Sequence, residues 1–143
     1  MKFLRVGSKG KEKPALLDAK GIIRDISSHV PELNPENLNF EMISKIKKVN
    51  LEKLPEIPKT IRIGPCVKNP GKFIGIGLNY ADHAAETGAK PPSEPIVFMK
   101  ATSCINGPND NIIIPKGSKK TDWEIEIAFI IGKEAKYITE EEA

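Results

Sequence analysis

Glu124 and Glu126 stand two residues apart in Thr121-Asp122-Trp123-Glu124-Ile125-Glu126-Ile127-Ala128-Phe129-Ile130-Ile131-Gly132. The stretch alternates: Trp123, Ile125, Ile127, Phe129 and Ile131 share one side of an extended chain, and the two glutamates share the other. A strand rises roughly 3.3 Å per residue, so the carboxylates sit about 6.5–7 Å apart at the backbone and can converge at their tips. Ala128 and Ile130 continue the glutamate side in apolar form. Two carboxylates beside apolar neighbours repel each other and resist desolvation unless a cation lies between them. The pattern suits two ligands of a hard divalent cation, Mg²⁺ or Mn²⁺. It equally suits a half-exposed strand with two solvated glutamates.

A second constellation is Asn79-Tyr80-Ala81-Asp82-His83-Ala84-Ala85-Glu86-Thr87-Gly88. The stretch predicts a helix of about two turns, with Asn79 as cap, Asp82 as its reciprocal partner and Gly88 as the stop. His83 and Glu86 are i and i+3 and fall on one face. A Glu beside a His fixes its tautomer and raises its basicity, which suits a general base; a plain surface pair has the same spacing. Lys100 ends the apolar run Ile96-Val97-Phe98-Met99-Lys100. It can reach an anionic substrate group or snorkel to solvent.

Residues 2–7, 15–18 and 22–26 predict three strands of a small meander. In the first, Phe3 and Arg5 alternate against Leu4 and Val6. Residues 36–48 predict a short helix from Phe40, Ile43 and Ile46, with Asn34 or Asn37 as cap. Pro55, Pro58, Pro65 and Pro70 then forbid a helix and predict an extended connector carrying the short strand Ile61-Arg62-Ile63-Gly64. This connector marks the expected border between an N-terminal subdomain, residues 1–58, and a functional body, residues 59–143. Lys72 to Gly77 predicts a strand. Its Gly75-x-Gly77 is no dinucleotide fingerprint, because the third glycine would fall at Tyr80; the glycines instead let a neighbour or ligand approach the backbone. Residues 111–115 and 121–132 predict two more strands. Thr139 and Glu142 predict a helix start, as cap and reciprocal partner. A helix begun and not built gains little, so the sequence reads as the front part of a longer protein.

The 143 residues are 39% hydrophobic and 29% charged, an ordinary globular composition. The net charge of +3 and lysine clusters without interleaved aromatics argue against nucleic acid. No apolar run approaches the roughly 20 residues of a membrane span, and the start is too short in apolar residues for a secretory signal. Cys66 and Cys104 fit no metal spacing and read as reduced thiols of a cytoplasmic protein.

Gly75-Ile76-Gly77-Leu78-Asn79-Tyr80-Ala81-Asp82-His83-Ala84-Ala85-Glu86 resembles the fumarylacetoacetate hydrolase family. Pro95 to Lys100, Gly107-Pro108 and Asp122 to Lys133 fit the same family in the same order, so the resemblance runs from about Pro70 to the end. It implies a mixed α/β, mainly β fold: a β-roll or barrel-like sheet with short helices, here preceded by the N-terminal meander. It implies a homodimer when full length, and Mg²⁺ or Mn²⁺ held by Glu124, Glu126 and an aspartate in a stretch beyond Ala143. His83 and Glu86 match the pair that activates water, and Lys100 matches the lysine at the strand end. The implied substrates are 2-keto acids, often 2,4-diketo acids such as acylpyruvates. The implied reaction is hydrolysis or lysis of a C–C bond through a chelated enolate. Isomerisation, hydration, decarboxylation and C–N cleavage of the ureidoglycolate lyase type are alternatives at the same site. Two rivals of another class are a non-catalytic binding domain and a structural domain with solvated glutamates.

Two carboxylates leave most of an octahedral cation's coordination to water, and Mg²⁺ dehydrates reluctantly. Residues 1–143 alone are therefore expected to bind Mg²⁺ poorly, to leave acylpyruvate intact and to self-associate through open apolar edges. Trp123 fluorescence should respond little to millimolar Mg²⁺. A monomeric, cooperatively folding 143-residue product that hydrolyses an acylpyruvate would overturn this.

Overall fold

The computed structural model describes all 143 residues. The three expected strands of the meander form, with β2 starting two residues earlier than expected: β1 Lys2–Val6, β2 Lys13–Leu17 and β3 Ile23–Asp25. They pair antiparallel, with Phe3 opposite Leu16, Leu4 opposite Ala15, and Leu17 opposite Ile23. A short β4, Glu56–Ile57, adds to β3 and completes a four-stranded sheet in the order β1-β2-β3-β4. This last strand lies in the proline-rich connector, between Pro55 and Pro58. Ile61 to Gly64 is not a full strand: it contributes one bridge, Ile63 to Val6, flanked by backbone bonds from Gly7 to Arg62 and from Gly64 to Arg5.

Both faces of this sheet are covered. On one face Leu16 packs with Ile26, Val30, Leu33, Met42, Ile46 and Leu54, with Phe3 at the edge. On the other, Val6, Ala15 and Ile23 pack under Ile57, Ile61 and Ile63. Period-two alternation therefore supplies two cores from one set of strands. The helix over the first face, α1, is shorter than the periodicity predicts, running Phe40–Lys47. Its cap is Asn39, not Asn34 or Asn37, because Asn39 accepts from the Met42 N–H. Asn34 instead closes the preceding turn by accepting from Asn37. Met42 and Ile46 carry the buried stripe, and Phe40 is exposed.

Two arginines are buried in the first sheet, Arg5 at 3% exposure and Arg24 at 4%. Each is matched to carboxylates. Arg5 donates from Nε and Nη2 to Glu32, at 2.8 and 3.1 Å, and lies 3.5 Å from Glu12. Arg24 pairs with Asp18 and Glu56 and donates to the Leu54 carbonyl. No buried side-chain nitrogen or oxygen lacks a partner. Breaking one such pair leaves a buried charge alone and costs about 3–5 kcal/mol.

Past Gly64 the chain forms a second, two-stranded sheet from β5 Phe73–Gly77 and β6 Ile96–Lys100, antiparallel with Phe73 opposite Lys100. Between them lies α2, Ala81–Glu86. Neither sheet closes, so the fold is mixed α/β with open sheets, and no barrel or roll is formed by these residues. The strands expected at 111–115 and 121–132 do not form. Their sequences suit extended chain, but a strand needs a ladder, and no segment here pairs with them. Thr139 and Glu142 make their reciprocal bonds, Thr139 N–H to the Glu142 carboxylate at 2.8 Å and Glu142 N–H to Thr139 Oγ1 at 3.3 Å. They close a turn and no helix. No helix is long and apolar enough to cross a membrane.

Glu32 is held below the ordinary carboxylate range: burial opposes its ionisation, but bonds from Arg5, the Leu33 N–H and Lys68 outweigh burial. Glu12 is lowered in the same balance, with burial opposed chiefly by Arg62. Depressed carboxylates stabilise the fold fully above their unfolded values and lose that contribution as pH falls through the folded ones. Unfolding free energy is expected to stay level from about pH 7 to 5 and to fall below about pH 4.5. Urea titrations across that range test this; stability that rises on acidification would contradict the network's role.

Candidate functional site

The β5–β6 ribbon explains its own glycines. A Cβ at Gly75 would lie 2.5 Å from Cζ of Phe98, its cross-strand partner. The absent side chain lets the Phe98 ring lie over the backbone, which is the close approach the Gly-x-Gly spacing predicts. At the end of the ribbon the Lys100 ammonium stands 5.9 Å from the Phe73 ring centroid and 5.8 Å from that of Phe98. These distances fit a cation held over two aromatic faces. Lys100 is half-buried and makes no ion pair, so its three N–H donors remain free.

α2 follows β5 after Leu78, whose φ of 49° turns the chain sharply. Its cap differs from expectation. Tyr80 occupies the cap position without a side-chain bond, and neither Asn79 nor Asp82 forms the reciprocal pair. The C-terminal end is as predicted: Gly88 has φ 68° and donates to Ala85, while Ala89 donates to Ala84. Ala84 is buried, and this anchors the helix. His83 and Glu86 are both exposed, on the face their spacing predicts. Their side chains do not bond to each other; the His83 carbonyl accepts from Thr87.

Glu124 and Glu126 lie in exposed chain outside any strand or helix. Their apolar neighbours are open as well, with Trp123 at 85%, Ile125 at 83% and Phe129 at 84% exposure. Neither carboxylate is engaged by a lysine, an arginine or a backbone N–H. In kind, these oxygen donors fit a hard divalent cation. In number they do not complete a site, since no three His, Cys, Asp or Glu side chains gather to hold a metal. The structure thus brings Lys100 to the ribbon end and His83 beside Glu86 on one helix. It forms no bond among these and the two glutamates.

Sequence reading missed the joint that holds the loop after Lys100. Arg62 donates from Nε and Nη2 to both oxygens of Asp110, at 2.8 and 2.5 Å. Its Nη1 donates to Glu12 at 2.7 Å and to the Gly7 carbonyl at 3.0 Å. Asp110 also accepts from the Gly107 N–H, and a Cβ at Gly107 would lie 2.5 Å from the Ile63 carbonyl. The bond from Arg62 lowers Asp110 from the usual carboxylate range. The visible signals were an arginine between two isoleucines and a Gly-Pro-Asn-Asp turn, and neither tells which distant residue it meets.

The sequence profile described as "Fumarylacetoacetate (FAA) hydrolase C-terminal" matches residues 72–143. Three relatives bear the name "Putative hydrolase". That from Burkholderia cenocepacia is 54% identical over all 143 residues. Those from Burkholderia lata and Burkholderia ambifaria are each 53% identical over the same span. In each case the match takes in 100% of this chain and 51% of the relative, so the chain spans about half the length of these proteins.

If the two free carboxylates are metal ligands, Glu124→Gln and Glu126→Gln in the intact gene product should each weaken Mg²⁺ binding and activity together. Because the substitutions also remove carboxylate repulsion, the metal-free protein should be no less stable. Calorimetric Mg²⁺ titrations that match the unsubstituted protein in both variants would refute the assignment.

Proposed function

The chain belongs to the fumarylacetoacetate hydrolase family, and from that premise we propose that the whole protein is a Mg²⁺- or Mn²⁺-dependent hydrolase cleaving a C–C bond of an acylpyruvate-like 2,4-diketo acid. Residues 59–143 are then the front of its catalytic body, within the family's roll. The observation that carries the reading is the single family match over residues 72–143, which spans α2, Lys100 and the Glu124/Glu126 pair together.

Glu124 and Glu126 would hold the cation, which when bound supplies Lewis acidity toward the keto acid. The remaining steps fall to this chain's own side chains. Lys100, steadied over Phe73 and Phe98, binds a substrate oxygen through its free ammonium. His83 takes a proton from water as general base, and the resulting hydroxide attacks the 4-carbonyl carbon. Glu86, one helical turn away on the same face, makes no bond to His83 in the resting arrangement; its carboxylate stabilises the imidazolium as it forms. The C3–C4 bond then breaks, its electron pair passing into the enolate of pyruvate. His83 returns the proton to C3, so water and the diketo acid become a carboxylic acid, which ionises to water, and pyruvate. His83 and Glu86 are solvent-exposed, which leaves them open to both water and substrate.

His83→Ala in the intact gene product should lower kcat by about 10²–10⁴, the range of a general base, with Mg²⁺ affinity nearly intact. Steady-state assays on an acylpyruvate with and without Mg²⁺ read this directly. Full activity in the variant would remove His83 from the mechanism.

A further inference from the structure

A cleft of about 360 Å³ lies where the first sheet meets the loop that follows Lys100. Its size is within the range of small-molecule sites. One wall is the buried network: Arg5, Glu12 and Arg62. The others bring Lys9 from the β1–β2 turn, Lys68 and Asn69 from the connector, and Thr102 and Ser103 from the short turn after β6.

The hydrogen bonding of these groups decides what the cleft can take. Glu12 is the one carboxylate in the lining, and it is fully occupied: Oε1 accepts from Arg62, and Oε2 accepts from the Gly10 N–H and faces Arg5. Its side chain is only 5% exposed. Both arginines are likewise occupied by Glu32, Asp110 and Glu12. Every polar group that remains toward the cleft can donate, and two of them, the ammonium groups, can only donate. Lys9 has no ion-pair partner, and Lys68 has one, Glu32 at 3.2 Å, leaving two ammonium hydrogens. The hydroxyls of Thr102 and Ser103 and the Asn69 amide form no bond within the protein. Asn69 sits at φ 49° in the bend between the two lysine-bearing walls and the ribbon. Two ammonium groups, two hydroxyls and an amide, with no free carboxylate among them, complement a small oxyanion.

We infer that this cleft is a binding site for a small oxyanion, a carboxylate or a phosphate, held by Lys9 and Lys68 and by the Thr102 and Ser103 hydroxyls. It is separate from Glu124 and Glu126 and does not depend on the reaction proposed above. Because Thr102 and Ser103 follow Lys100 by two and three residues, an occupant would also fix the loop that carries the strand-end lysine.

The test is calorimetric titration of the intact gene product with inorganic phosphate and, separately, with pyruvate, in metal-free buffer. Lys9 is exposed in a turn, so Lys9→Ala and Lys9→Glu should fold, which circular dichroism checks. Loss of one charge-assisted bond should weaken the bound anion about tenfold in Lys9→Ala, and more in Lys9→Glu. Glu124→Gln should leave the affinity unchanged, separating this site from the metal ligands. The stronger of the two titrants identifies the oxyanion class. Binding of neither anion, or affinity that both Lys9 variants retain, would overturn the inference.

Discussion

Arg62 is the fixed point on which the rest of the arrangement depends. Its guanidinium has five donors in a rigid plane, and here they reach Asp110, Glu12 and the Gly7 carbonyl at once. The backbone beside it is pinned by the Gly7-to-Arg62 and Gly64-to-Arg5 bonds. The same arginine therefore belongs to the edge of the first sheet and clamps a turn 48 residues further on. A lysine could not take this place, since a point charge cannot hold both oxygens of Asp110 in plane. The turn it clamps lies seven residues after the end of β6, so the clamp limits how far the Lys100 end of the ribbon can stray from the first sheet.

A buried charge network is a poor source of net stability, because desolvation offsets most of the Coulomb gain. What it does supply is discrimination. Arg5 and Arg24 can be buried in only one register, the one that brings Glu32 and Glu12 to the first and Asp18 and Glu56 to the second. A slip of one residue would turn each guanidinium onto the Ala15 face, away from these partners and toward a single carboxylate, Asp25, which Lys13 already holds. The apolar clusters supply the bulk of the driving force, and the arginines make one pairing of the strands far better than its neighbours.

The parts of the fold legible in the sequence are those that close over short range. The β1–β3 meander, the β5 and β6 strands and the Gly88 stop follow from alternation in β1, from short apolar runs set off by turns in the others, and from a glycine with positive φ. So does the Thr139–Glu142 box, which forms even without a helix behind it. The errors lie where a pattern was read without its partner. The caps shifted to Asn39 and Tyr80 because several polar residues precede each helix and the packing of Met42 or Ala84 selects the start. The Arg62–Asp110 clamp was invisible because a charged residue in an extended connector and another in a turn carry no mark of each other. Of the candidate site, the His83–Glu86 face was legible from helical spacing, whereas their lack of a mutual bond was not.

The Glu124 stretch carries the same argument to its end. Alternation is a property of a segment, but a strand is a property of a pair. Trp123, Ile125 and Phe129 stay exposed because nothing within these residues offers a ladder to the backbone or a face to the side chains. The energetic weight of covering them is large, since each buried side chain of this size gains about 1.5–3 kcal/mol. Whatever covers that apolar side must also leave the opposite side to two carboxylates that repel each other once water is withdrawn. A cation between them offsets that repulsion, and solvent exposure avoids it. The segment can therefore enter a sheet without penalty only if its glutamate side stays wet or becomes metallated, and this ties the folding of the stretch to its chemistry.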